Sequence, residues 1–368
     1  MIRTLLIFGT RPEAIKLAPL SYELRADGRF EPRVCVTAQH RQLLDQVLNI
    51  FGITPDYDLE LMRPDQSLYD ITAEGLRRLE PVLRREAPDL VIVQGDATSA
   101  FVGALAAFYQ QIPLAHVEAG LRTGNLWRPY PEEANRILTD HLARWCFAPT
   151  EHARQNLLRE GIPDERIWVS GNTAIDALRW ALSHQEEPES RSRQENRPER
   201  RLILVTGHRR ESFGPELEQI CLALRDLSRR NPSLEIVYPL HPNPNVRRPV
   251  HRLLGGLERV RLIEPLDYLA FVRLMSAAEL ILTDSGGIQE EAPFLGVPVL
   301  VLRRETERVE ALTAGAARLV GTEREQIVRQ TELLLNDPQL YRRMAEAPSP
   351  YGDGQASRRI ARALASTL

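Results

Sequence analysis

Residues 280–302 read LILTDSGGIQEEAPFLGVPVLVL, and the order of features in this stretch decides the fold class. The apolar run Leu280-Ile281-Leu282 reads as a buried strand, interrupted at Thr283-Asp284-Ser285-Gly286-Gly287. A short segment with paired carboxylates follows, Gln289-Glu290-Glu291-Ala292, and residues 297–302 (VPVLVL) read as the next parallel strand. The unit is strand, glycine turn, helix, strand. Its Ser285-Gly286-Gly287 turn places free backbone N–H groups at a helix N-terminus, where exposed donors and the helix dipole favour an anion. Gly286 and Gly287 let a phosphate approach the main chain with no side chain in the way. A plain helix cap by Asp284 or Ser285 explains the same letters, so the stretch alone leaves both readings open.

A chain of 368 residues exceeds what one core usually serves, so two domains are expected. The net charge of −3 argues against a nucleic-acid binder that relies on a basic face. Cys35, Cys146 and Cys221 lie far apart with no CxxC spacing, which suggests neither a disulfide framework nor a zinc site. Of the 47 basic residues only Lys16 is a lysine. Where arginine serves nearly every other cation, a retained lysine points to a place where a compact ammonium is needed, although survival by chance explains it too. The opening MIRTLLIFGTRPE begins a strand at once and no apolar run is long enough to span a bilayer, so the expectation is a cytoplasmic protein.

In chain order, residues 4–8 form an apolar strand that leads into Gly9-Thr10-Arg11-Pro12-Glu13 and a helical pattern through Ala14, Leu17, Leu20 and Leu24. Pro12 suits the first helical turn, where its missing N–H costs nothing. Arg11 and Lys16 then fall near the carboxyl end of the first strand, the edge where open parallel sheets bind ligands. Strands follow at 34–37, 90–93, 114–117 and 145–148, with helices expected at about 38–49, 72–85, 100–109 and 131–143. Such alternation implies a parallel, doubly wound sheet. Residues 183–200 are almost devoid of apolar side chains and read as a solvated loop. The pattern then restarts: residues 201–206 form a strand followed by Gly207-His208-Arg209-Arg210-Glu211, an echo of the first opening. The expected fold is α/β, two Rossmann-like doubly wound domains facing across a cleft. Residues 1–170 form the first, with a C-terminal helix at about 355–368 packing back on it, and residues 171–354 form the second.

Absences narrow the chemistry. No G-x-G-x-x-G follows either first strand, and there is no G-x-x-x-x-G-K-[ST] and no H-E-x-x-H, so no dinucleotide, P-loop or metal site is expected and no cofactor is implied. Asp96, Glu118 and Glu132 sit just past strand ends or at a helix start. Asp96 and Glu132 also fit helix-terminus roles, whereas Glu118 follows a buried run with no cap to make. His208, beside Arg209 and Arg210 at a strand end, suits a phosphate; His241 in His241-Pro242-Asn243 is a weaker candidate.

These residues resemble the non-hydrolysing UDP-N-acetylglucosamine 2-epimerases of bacterial type. The resemblance runs almost end to end through FGTRPEAIKLAPL, TAQHRQLLDQVL, PDYDLELM, QGDATSA, HVEAGLRT, PEEANR, FAPT, GNTAIDAL, TGHRRESFG, HPNP, TDSGGIQEEAPFLGVPVLVLR, TER and PYGDG. It implies a glycosyltransferase-B-like fold, a homodimer, and interconversion of UDP-GlcNAc and UDP-ManNAc for cell-surface polysaccharide synthesis, with neither nucleic acid nor membrane as partner. Carried over by motif, uridine and phosphate contacts fall on Arg11, His208, Leu266, Phe271, Ser285, Gly286, Gly287, Glu291 and Arg308. Sugar-side and catalytic roles fall on Lys16, Asp96, Glu118, Glu132 and His208, with Arg136 among the substrate contacts. Leu266 stands where relatives have glutamine, which leaves only a backbone contact there. Val309 stands where proline is common. A second, regulatory UDP-GlcNAc site would use Gln39, His40, Gln42, Gln66, Arg209 and His241, while Asp65 stands where some relatives carry arginine.

The resemblance also implies the route: elimination of UDP across C1–C2 through 2-acetamidoglucal, then re-addition, with acid–base groups on both faces of C2. Two rival readings share the glycine turn. One is a glycosyltransferase of the same architecture, disfavoured by the lack of an apolar and basic patch for a membrane acceptor. The other is a hydrolysing epimerase that releases UDP and free ManNAc.

Overall fold

The computed structural model describes residues 1–37, 41–63, 66–184, 201–207, 209 and 213–368. Two units form, one of Met1–Trp180 with Tyr351–Leu368 and one of Ala181–Pro350.

In the first unit β1 (Ile2–Phe8) leads into α1 (Arg11–Ala26), β2 (Phe30–Val36), α2 (Arg41–Ile50) and the two-residue β3 (Tyr57–Asp58). Next come α3 (Leu68–Glu86), β4 (Leu90–Gln94), α4 (Thr98–Tyr109), β5 (Leu114–Val117), α5 (Glu132–Leu142) and β6 (Trp145–Ala148). The series closes with α6 (Glu151–Arg159), β7 (Ile167–Val169) and α7 (Thr173–Ser183), which runs into the second unit. The sheet is parallel with order β3-β2-β1-β4-β5-β6-β7. Its central strands read as unbroken apolar runs because helices cover both faces: Leu5, Leu6, Ile7, Val91, Ile92 and Val93 are wholly buried. α3 begins before residue 72 because Ser67 and Asp70 cap each other's backbone N–H groups, a capping box the apolar spacing does not reveal.

In the second unit β8 (Arg201–Thr206), α8 (Pro215–Arg230), β9 (Leu234–Pro239), α9 (Pro244–Leu254), β10 (Val260–Ile263) and α10 (Tyr268–Ala277) precede the stretch quoted at the outset. That stretch folds as β11 (Leu280–Thr283), α11 (Gly286–Glu291), a 3-10 turn at Ala292–Leu295 and β12 (Val299–Val301). α12 (Val309–Thr313), β13 (Ala317–Leu319), α13 (Arg324–Asn336) and α14 (Pro338–Ala345) complete the unit, and its parallel sheet runs β10-β9-β8-β11-β12-β13. The chain then returns to the first unit, where α15 (Ala356–Thr367) packs on α1.

Strand order locates the ligand edge in each unit. It reverses between β1 and β4 in the first sheet and between β8 and β11 in the second, and ligands of such sheets sit where the loops after those strands diverge. In the first unit the loops are Gly9-Thr10 and Gly95-Asp96; in the second they begin at Gly207 and Asp284. Among the described residues no helix is long and apolar enough to cross a membrane.

Candidate active site

In the first unit the loop after β1 is tight enough to require glycine: a Cβ on Gly9 would stand 1.8 Å from Thr37 Oγ1. Glu13, in the first turn of α1, accepts the N–H groups of Gly9 at 3.0 Å and Thr10 at 2.7 Å, and the Ser99 hydroxyl from α4 at 2.8 Å. It thereby ties the two loops of the switch point together. Burial pushes its carboxyl up to about 7, against the hydrogen bonds from Thr10, Gly9 and Ser99.

Lys16, one turn further along α1 and 9% exposed, pairs directly with Glu118 Oε2. Glu118 stands just past β5 with φ +69°, a left-handed backbone that costs a non-glycine residue about 1–3 kcal/mol unless its surroundings impose it. Arg136, buried on α5, imposes part of it: Nη1 donates to the Glu118 main-chain oxygen at 2.8 Å and lies 3.5 Å from Oε1. The same guanidinium pairs through Nη2 with the Asp96 carboxylate, and Asn135 Nδ2 donates to the Asp96 main-chain oxygen at 3.0 Å. The result is a chain of alternating charge, Lys16, Glu118, Arg136, Asp96. Its inner end is covered and its outer end open, the Glu118 side chain being 6% exposed and that of Asp96 33%. Glu132 is the first residue of α5, one turn before Arg136, and Arg11 the first of α1; both are partly buried.

In the second unit neither capping residue considered from sequence is spent on a side-chain cap. Ser285 makes no such bond; its N–H donates to Thr283 Oγ1 at 2.9 Å. Asp284, 1% exposed, accepts the Arg209 N–H at 2.9 Å. Arg308 lies across the turn and pairs with Glu290 at 2.8 Å and with Glu307. Glu307 also takes Arg303 at 2.9 Å and Arg209 at 3.3 Å. Burial would raise the Glu307 carboxyl, but Arg308, Arg209 and Arg303 outweigh it and hold the group far below the usual carboxylate range. Glu291, 9% exposed, accepts the Tyr268 hydroxyl at 3.4 Å. Leu266 in the loop before α10 and Phe271 in its first turn are partly buried.

The structure thus brings Lys16, Asp96, Glu118 and Arg136 into contact, and gathers Ser285, Gly286, Gly287, Glu291 and Arg308 on and around one turn. Of the regulatory candidates, Arg209 joins the Glu307 cluster, and His241 accepts the Asn243 N–H on Nδ1 at 3.2 Å. In the first unit Gln66 accepts the Arg63 N–H at 2.7 Å, and Gln42 belongs to α2. Gln39, His40, Asp65 and His208 lie outside the described residues. Sequence reasoning gave no role to Glu13, Asn135, Glu290, Arg303 or Glu307. It missed His116 and Asp140 as well, which support these loops from beneath. The only signal was that most of them sit inside or beside quoted motifs.

A family model described as UDP-N-acetylglucosamine 2-epimerase matches residues 22–365. A UDP-N-acetylglucosamine 2-epimerase of Salmonella typhimurium is 57% identical over 371 residues, covering 99% of both chains. The crystal structure of UDP-GlcNAc 2-epimerase from Neisseria meningitidis bound to UDP-GlcNAc superposes with a TM-score of 0.95 at 48% identity, covering 100% of each chain. S. aureus MnaA, in a co-structure with UDP, superposes with a TM-score of 0.92 at 46% identity, covering 100% of this chain and 96% of that one.

Proposed function

The chain belongs to the UDP-N-acetylglucosamine 2-epimerase family, and on that premise we propose that it interconverts UDP-GlcNAc and UDP-ManNAc without hydrolysing either. The observation that carries the reading is the alternating chain Lys16–Glu118–Arg136–Asp96, which holds two carboxylates at the ligand edge of a parallel sheet.

The C2 proton of the sugar is weakly acidic, while UDP is a good leaving group. A base removes that proton as the C1–O bond to UDP breaks, leaving the C1=C2 double bond of 2-acetamidoglucal. UDP then adds back to C1 while a proton is delivered to the opposite face of C2. Inversion by this route needs acid–base groups on both faces, and Asp96, Glu118 and Glu132 are the carboxylates assigned to it. Lys16 and Arg136 pair with two of them and orient them. The departing diphosphate needs cations and N–H donors: Arg11, His208, Arg308 and the Ser285-Gly286-Gly287 turn are assigned to it. Glu291 is assigned to the ribose hydroxyls, and Leu266 and Phe271 to the nucleoside.

The enzyme is proposed to work in the cytoplasm, to supply cell-surface polysaccharide synthesis, and to act as a homodimer. Phe108 and Tyr109 on α4 and Leu138 on the adjoining α5 are exposed apolar residues that a second copy would cover.

Incubation with UDP-GlcNAc in D2O, followed by NMR, tests the reading. The expected product is UDP-ManNAc with deuterium at C2. Product that keeps its original hydrogen at C2 overturns the proton-transfer scheme. UDP with free ManNAc identifies a hydrolysing enzyme, and substrate that stays unchanged until an acceptor is supplied identifies a transferase.

A further inference from the structure

His116 is the third residue of β5, fully buried and two residues ahead of Glu118. Both of its ring nitrogens are engaged: Nδ1 lies 2.6 Å from Asp140 Oδ1, and Nε2 lies 2.8 Å from the main-chain oxygen of Gly95. A carbonyl oxygen only accepts, so Nε2 carries a proton. Asp140, also fully buried, takes Arg122 Nη2 at 2.6 Å and the Gly120 N–H at 3.2 Å on its other oxygen. Burial pushes the Asp140 carboxyl up, but the charges and hydrogen bonds of His116 and Arg122 outweigh it and hold the group below its ordinary value. An ionised carboxylate accepts as well, so the His116 ring lies between two acceptors, Asp140 Oδ1 and the Gly95 oxygen. Arg122 reaches on to Glu160 at 2.7 Å, which extends the buried network to four side chains, His116, Asp140, Arg122 and Glu160.

Such a set contributes little net stability, because desolvation offsets most of the Coulomb attraction. Its distinctive effect is geometric. Gly95 at φ +74° and Glu118 at φ +69° both hold left-handed backbone, and the residues that follow or include them carry the two carboxylates of the proposed chemistry. His116 holds the Gly95 carbonyl, one residue before Asp96. Asp140 holds the Gly120 N–H, two residues after Glu118. One buried pair therefore grips both loops.

We infer that His116 and Asp140 are positioning residues that set the spacing of Asp96 from Glu118 without touching substrate. The inference rests on the epimerase reading above. His116→Asn keeps a donor for Asp140 but is too short to reach the Gly95 oxygen, whereas His116→Gln carries its amide donor to that oxygen. In steady-state conversion of UDP-GlcNAc, His116→Asn is expected to lower kcat by about tenfold or more with KM within about threefold, as a misplaced catalytic group should. His116→Gln should recover several-fold of the loss, and both variants should keep the wild-type circular dichroism. A folded His116→Asn chain with kcat within about twofold of wild type, or equal losses in both variants, overturns the inference. If His116→Asn is not recovered folded, Asp140→Asn decides by the same split, and unchanged kcat in that folded variant overturns the inference. A wild-type chain inert on UDP-GlcNAc overturns the epimerase reading and this inference with it; an active wild type matched by His116→Asn overturns the inference alone.

Discussion

The Arg308 guanidinium lies directly over Gly286: a Cβ on that glycine would stand 2.9 Å from Arg308 Cζ and 3.2 Å from Nε and Nη1. Gly287, the next residue, faces open space: beyond its chain neighbours and the helix's own backbone, nothing lies within 4 Å of where its Cβ would be. Of the two, only Gly286 is held to glycine by a protein side chain. Gly286→Ala is expected to displace Arg308 from Glu290 and to raise KM for UDP-GlcNAc by about tenfold, the worth of one charge-assisted contact. Gly287→Ala fits the protein and should raise stability by about 0.5–1 kcal/mol, as alanine does in a helix. If Gly287→Ala nevertheless weakens UDP binding by calorimetry, the ligand's approach is the cause; unchanged binding removes this turn from the diphosphate site.

Glu118→Gln keeps the shape of the side chain but takes the anion from between Lys16 and Arg136. Turnover is expected to fall by about 100-fold or more, the usual worth of a positioned acid–base group, while UDP affinity stays within about threefold. Asp96→Asn should behave alike. Rates measured by NMR beside UDP titrations check both, and normal turnover in both variants removes these carboxylates from the mechanism.

Glu13 gives stability a pH dependence of unusual sign. Its carboxyl is raised from the ordinary 4.5 to about 7, so between those values the folded chain holds a proton that the unfolded chain has lost. The contribution is full below the unfolded value and is lost as pH rises through about 7. Unfolding free energies from denaturant titrations should fall with pH across this window, by on the order of 1 kcal/mol per unit, and Glu13→Gln should flatten that slope. Parallel slopes in the two proteins would refute the assignment.

Gly120 has φ +84°, and a Cβ there would stand 2.3 Å from the Ala153 carbonyl oxygen, a backbone atom that cannot swing aside. Gly120→Ala is expected to destabilise the first unit by roughly 3 kcal/mol or more, read as a lowered Tm. It also shifts the N–H that Asp140 holds, so residual activity should drop further than the lost stability explains.

Sequence made the buried strands legible where three or more apolar residues run together, as in β1, β4, β8 and β11. It failed at β3, β7 and β13, which are two or three residues long and stand at sheet edges. Such strands exist because a neighbour supplies hydrogen bonds, a fact absent from local pattern. The site divides in the same way. Asp96, Glu118 and the glycine turn stand at strand ends, where position itself is the signal. His116 hides inside an apolar run, and its partner Asp140 lies 24 residues away on a helix. Arg136 entered only by resemblance, because nothing near it says that its two ends reach Glu118 and Asp96. Glu13 looks like an ordinary first-turn acid until burial changes its proton affinity.

The first unit is built from two pieces of chain. The Trp145 indole donates to Thr367, Asp176 accepts the N–H groups of Ala356 and Ser357, and the Asn172 N–H donates to the Tyr351 carbonyl. Residues 351–368 leave the ribosome only after the whole of 181–350 has been made. The first unit, although begun earlier, is therefore the second to close. Until α15 arrives, α1 lacks the helix that packs on it, so a nascent chain presents an apolar face throughout the synthesis of its inserted partner. A chain stopped before residue 351 is therefore expected to be cut more readily in its first unit than in its second by limited proteolysis.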